Sequence, residues 1–197
     1  MLEELIECPH CAEEITAAAI RCKRCGAMLE GMGYQDLAES IRDNLAQYNY
    51  SEPCEAHSVE GVEGFVLATP RRWMVRYLCG VFALPEGLDH PRQAKQFFEA
   101  TRKSFTKRYA QFPYWKELGT YLVWICESDL FEAMEGGMTQ LKDKTGLHMN
   151  VMLGTVLVDR QELVASAEAT WGLHYSGKHF GAISASVNEW CKRVRAE

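Results

Sequence analysis

Apolar and polar positions alternate along this chain with several distinct periods. Ile41, Leu45 and Tyr48 share one face at helical spacing and predict a helix over 35–49. Residues 50–64 break the pattern with Ser51, Pro53, Gly61, Gly64 and four glutamates, and read as an acidic loop. The apolar run from Gly64 to Ala68 predicts a buried strand. Thr69-Pro70 then has the form of a helix start, and Trp73, Met74, Tyr77, Leu78, Val81 and Phe82 recur as a helix would place them, up to Pro85. Asp89-His90-Pro91 opens a helix over 91–112, striped by Ala94, Phe98, Thr101, Phe105, Tyr109 and Phe112 and stopped by Pro113. Thr120–Cys126 predicts a second buried strand, Ser128 the cap of a helix over 129–144, and Met149–Val158 a third strand. Asp159-Arg160-Gln161-Glu162 has capping-box form, so a helix is expected from 160, interrupted by Gly172, Gly177 and Gly181. A last helix over 182–195 carries Ile183, Val187, Trp190 and Val194.

Strands alternating with helices argue for an α/β domain over 34–197. Its sheet is expected to be mainly parallel or mixed, with three to four strands covered by helices. The fourth strand would lie near 56–63, inside the acidic loop.

Residues 1–31 follow no such rhythm. They carry Cys8-Pro-His-Cys11 and, after ten residues, Cys22-Lys-Arg-Cys25-Gly26. Two Cys-x-x-Cys pairs supply the four thiolates of a tetrahedral zinc site, and each pair is tight enough to bring both sulfurs to one ion. Gly26 tolerates the positive φ that such a turn often needs. His10 falls inside the first pair and is read as a turn residue. Glu13, Glu14 and the run Ala17–Ala19 favour a helical turn between the pairs. The stretch from Cys8 to Gly26 resembles the short bacterial zinc ribbons of form Cys-Pro-x-Cys-Ala-Glu-x-Ile, then Ala-Ile-x-Cys-x-x-Cys-Gly. The resemblance covers about 25 of 197 residues. It implies one structural Zn²⁺ on Cys8, Cys11, Cys22 and Cys25, and says little of function, because such ribbons accompany unrelated partners. With all four positions filled by cysteine, no place remains for a catalytic water.

Composition narrows the classes further. The chain is 47% hydrophobic, enough for a real core, and its net charge of −6 excludes polyanion binding by bulk electrostatics. The acidic N-terminus does not read as a signal peptide, and no apolar run has the ~18 residues of a membrane span. Cys54, Cys79, Cys126 and Cys191 show no disulfide spacing, which favours a reducing cytoplasm.

Candidate sites are few. In open α/β sheets ligands bind beyond the carboxyl ends of the strands. Thr69, Arg71 and Arg72, then Glu127 and Asp129, then Asp159 and Arg160 fall there, and would suit a phosphate-bearing ligand; the alternative is plain helix caps beside solvated charges. Arg92, Lys95, Arg102, Lys103 and Lys107 gather on the polar side of helix 91–112. With Arg21, Lys23 and Arg24, which also offset the charge of the thiolates, they form a candidate nucleic-acid patch; the alternative is an ordinary solvated face. Cys54 and His57 could pair as nucleophile and base. Gly172–His179 nearly fits a P-loop but has His179 where Ser or Thr would bind Mg²⁺, and reads as a glycine-rich bend between two helices. The leading expectation is a zinc-ribbon adaptor or regulator that binds a protein partner. The alternatives are a nucleic-acid-binding protein and an enzyme acting on a phosphate-bearing substrate.

Overall fold

A computed structural model describes residues 5–8, 11–16, 22, 24–25, 32–50, 54–70, 75–85, 87–88, 90–110, 117–135, 150–169 and 173–196. Two separate sheets are present. Strands β1 (Leu5–Glu7) and β2 (Glu14–Thr16) form an antiparallel pair, with Ile6 opposite Ile15. Six strands form the other sheet: β3 (Glu55–Val59), β4 (Val62–Ala68), β5 (Val75–Ala83), β6 (Glu117–Cys126), β7 (Asn150–Asp159) and β8 (Ala165–Ala169). They lie side by side in chain order. β5, β6 and β7 run parallel, and the remaining neighbours are antiparallel, so the sheet is mixed and larger than the three to four strands expected.

The helices are α1 (Met32–Leu45), α2 (Pro91–Tyr109), α3 (Ser128–Glu135) and α4 (Leu173–Ala196), with a 3-10 turn at Ala46–Tyr48. The crossovers through α2 and α3 step the same way along the sheet. Right-handed connections therefore place both helices on one face, where Phe97, Phe98, Phe105, Leu130 and Met134 pack with Phe82, Leu122 and Trp124. On the other face, α1 and α4 bury Leu37, Ile41, Val187 and Trp190 against Cys79, Tyr121, Val123 and Val158. Among the described residues, no helix is long and apolar enough to cross a membrane.

Four expectations fail, each for a physical reason. Residues 14–16 are strand, not helical turn, because they pair with Leu5–Glu7. Residues 75–83 are strand, not helix. This strand is buried on both faces, so its apolar residues do not alternate, and Tyr77, Leu78, Val81 and Phe82 imitate helical spacing. The acidic stretch does hold a strand near 56–63, as anticipated, but it is half of the β3–β4 hairpin and not a loop, turned at Glu60 and Gly61 with φ of 51° and 84°. The helix expected from 160 is replaced by a turn and β8, and α4 starts at Leu173. Leu173 to His179 of the P-loop-like stretch therefore lie in one helix, not in a bend between two, and Gly172 falls outside the described residues. The anticipated helix over 136–144 falls outside the described residues, as does Pro113.

Candidate metal centre

Cys8 and Cys11 lie in the turn that joins β1 to β2, and Cys22 and Cys25, later in the chain, come up to them. Past β1, the Cys8 amide donates to the Glu13 carbonyl and the Ala12 amide to the Cys8 carbonyl, each at 2.8 Å. This turn puts Ala12 at φ 55°. Ala12 follows Cys11 as Gly26 follows Cys25, so the left-handed residue expected after the second pair occurs after the first; Gly26 itself lies outside the described residues, as does His10.

All four sulfurs lie within 4.8 Å of one another. Cys8 Sγ and Cys25 Sγ are 3.7 Å apart, and Cys11 Sγ and Cys22 Sγ 3.6 Å. Four sulfurs at Zn–S of about 2.3 Å form a tetrahedron with edges of about 3.8 Å. The donor set thus has the size and softness to hold one thiophilic metal ion. The thiols are already unequal. Cys22 is drawn down to about 6, first by its hydrogen bond from the Cys25 backbone. Cys11 moves up to about 12: the Glu13 backbone lowers it, but desolvation and the thiols of Cys25, Cys22 and Cys8 outweigh that. A metal ion would displace the remaining protons. Around the sulfurs, the only other buried apolar side chain among the described residues is Ile15. Arg24 forms an ion pair with Glu13, and the Cys11 and Cys22 charges also favour its cationic form. Arg21 and Lys23 lie outside the described residues.

The strand-end candidates divide. Glu127, Asp159 and Arg160 come together beyond β6 and β7. Asp159 is 3% exposed, and its Oδ1 accepts from Ser128 Oγ at 2.9 Å and from the amides of Gln161 and Glu162 at 2.7 and 2.9 Å. Arg160 Nη1 pairs with Glu127 Oε1 at 2.9 Å, and its Nη2 donates to the Leu84 carbonyl at 3.1 Å. Gln161 donates to the second Glu127 oxygen at 3.1 Å. The carboxylates tie the β7–β8 turn to the end of β6 and to α3, and Arg160 ties it to the end of β5. Asp129 faces solvent in the first turn of α3. Thr69 is at the opposite end of the sheet, since β4 is antiparallel to β5; its Oγ1 accepts from the Tyr77 amide at 3.0 Å. Thr69 therefore joins no site with Asp159. Arg71 and Arg72 lie outside the described residues, and the helix expected to start beside them is strand from Val75.

On α2 the basic face is thinned. Arg102 pairs with Glu99 and is largely buried, while Arg108 pairs with Glu55 at 3.1 Å. Arg92, Lys95, Lys103 and Lys107 are exposed and have no ion pair among the described residues. At 100° per residue these four fall within an arc of about 120°.

Cys54 and His57 do not form a dyad. Desolvation pushes Cys54 up to about 11. The His57 Nε2 lies 3.0 Å from Ser104 Oγ on α2 instead, and its ring packs edge-on against Phe105. Desolvation first, then the Arg108 charge, lower the His57 pKa below its usual 6.5. The sequence pattern missed this pair because its members are far apart in the chain. His179 lies among Tyr48, Tyr50, Tyr77 and Tyr121, with Tyr50 Oη 3.4 Å from its Nδ1. Nothing local marks that cluster either. Compared with protein families, with characterised proteins and with solved structures, the chain matches none of them.

Proposed function

We propose that this chain is a zinc-ribbon adaptor: one structural Zn²⁺ on Cys8, Cys11, Cys22 and Cys25 folds residues 1–31, and the ribbon then docks on a protein partner. The observation that carries this reading is on β1. Leu5 is 59% and Ile6 41% exposed, on a strand whose module buries, among the described residues, only Cys8, Cys22 and Ile15. The ribbon is too small to cover its own apolar side chains, and a partner surface would cover them. The strand-end carboxylates support a binding role over catalysis, because Glu127 and Asp159 are held by internal donors.

Metal analysis of the purified chain is expected to give one zinc per molecule. Photo-crosslinking from the ribbon in a cell extract is expected to capture a defined protein. The Leu5→Ser/Ile6→Ser chain should keep its zinc and lose that capture. Unchanged capture by the double variant would rule out docking through these two side chains.

A second reading, nucleic-acid binding, is favoured by four exposed cations of α2, Arg92, Lys95, Lys103 and Lys107. It predicts binding to DNA or RNA that weakens steeply with salt, and about a one-unit smaller salt slope for each of Lys103→Ala and Lys107→Ala. No binding at low salt eliminates it.

A further inference from the structure

On the α1 side of the sheet, cover runs out before the strands do. Six strands at about 4.8 Å spacing span roughly 24 Å, and two helices about 10 Å across cover roughly 20 Å. α1 packs on β4 and β5, and α4 on β7 and β8. Among the described residues, the ends of β4 and β5 near Val62 and Ala83 lie open beside the first turns of α1. A cleft of about 450 Å³ opens there, lined by Tyr34, Ala56, Phe65, Val81, Ala83 and Arg160. This volume lies within the roughly 300–1,000 Å³ usual for small-molecule sites. The walls are apolar apart from two charged residues, Arg160 and, on β4, the exposed Glu63.

Those two residues define the ligand. A guanidinium has five N–H donors. Arg160 gives Nη1 to Glu127 and Nη2 to the Leu84 carbonyl, and among the described residues its buried Nε has no acceptor. Donors are left over, but the positive charge is already met by Glu127. A ligand anion would therefore gain little from Arg160 and would be repelled by Glu63. An uncharged carbonyl oxygen suits the spare donors, and an N–H suits the Glu63 carboxylate.

We infer that this cleft binds a small, uncharged acyl compound of the amide class, its apolar body on Phe65, Val81 and Ala83 and its carbonyl toward Arg160. The cleft shares no residue with the exposed Leu5 and Ile6 of the ribbon, so either assignment can fail alone.

Octanamide and octanoate are suitable probes, titrated into the zinc-loaded full chain and followed by methyl resonances. Octanamide is expected to shift the methyl signals of Val62, Val81 and Ala83, with a Kd of about 0.1–1 mM. Octanoate should bind at least about tenfold more weakly. Ala83→Phe fills the cleft at the end of β5 and should weaken octanamide about tenfold or more while the melting temperature holds. Shifts confined to other parts of the molecule, or none at about 10 mM octanamide, overturn the site. Octanoate binding as tightly as octanamide overturns the uncharged ligand class.

Discussion

The Asp159 carboxylate accepts three hydrogen bonds through one oxygen, and its donors belong to two separate elements. Replacing it with alanine leaves the Ser128 hydroxyl and two amides without that acceptor. Asp159→Ala is therefore expected to lower unfolding free energy by about 2–4 kcal/mol, and Asp159→Asn, which keeps the oxygen, by less. Urea denaturation measures both, and equal losses would show that the acceptor geometry is immaterial. His57 gives a pH-dependent counterpart. Desolvation and then Arg108 favour its neutral form in the fold, while Glu55 and Glu63 oppose this. Its folded pKa lies below the unfolded value, so at acid pH the unfolded chain binds the proton more tightly. Above about pH 6.5 both states are neutral and the contribution to stability is complete. It is lost as pH falls through the unfolded pKa toward the folded one. Between about pH 7 and pH 5, the wild type should lose stability more steeply than His57→Gln. Identical slopes would mean that His57 titrates alike in both states.

Elements were legible where local chemistry and tertiary environment agree. The four cysteines declare themselves because their spacing is local, and α2 because Pro91 follows the His90 cap ahead of a regular apolar stripe. β5 was illegible because burial on both faces removes alternation. β3 was hidden for the opposite reason: it is an edge strand, so Glu55, Ala56 and Ser58 are exposed and only His57 and Val59 are buried. β8, Ala-Ser-Ala-Glu-Ala, has neither β-branched nor aromatic residues and pairs only along Gly154–Val158. At Asp159 the same residues that could cap a helix instead close a turn, and the carboxylate also accepts from distant Ser128. The β3–β4 hairpin has a further testable feature. Its two turn residues, Glu60 and Gly61, both have positive φ, a conformation that glycine and asparagine tolerate and glutamate does not favour. Glu60→Asn is expected to stabilise the fold by up to about 1 kcal/mol, and Gly61→Val to destabilise it by at least about 1 kcal/mol. Thermal melts of the two variants should move in opposite directions.

At the scale of the whole molecule, two sheets have two different sources of stability. The six-stranded sheet has apolar cores on both faces, with Trp124 and Trp190 fully buried on opposite sides. The β1–β2 pair has four sulfurs and Ile15. On the proposed zinc reading, the first would stand without a metal and the second would fold only once the sulfurs are bridged. β1 and β2 make extensive contact with each other and with no other described element. A strong chelator is thus expected to remove the metal, abolish amide protection at Cys8 and through Leu5–Glu7, and leave the melting temperature of the larger unit within about 2 °C. Hydrogen exchange reads the first effect and calorimetry the second. A drop of more than about 5 °C would mean that the ribbon braces the sheet, and that the metal supports both halves. With the smaller drop, the metal governs the ribbon alone. A partner bound there would then be released by chelation while octanamide still occupied the cleft, and that pairing of results would establish two independent binding functions on one chain.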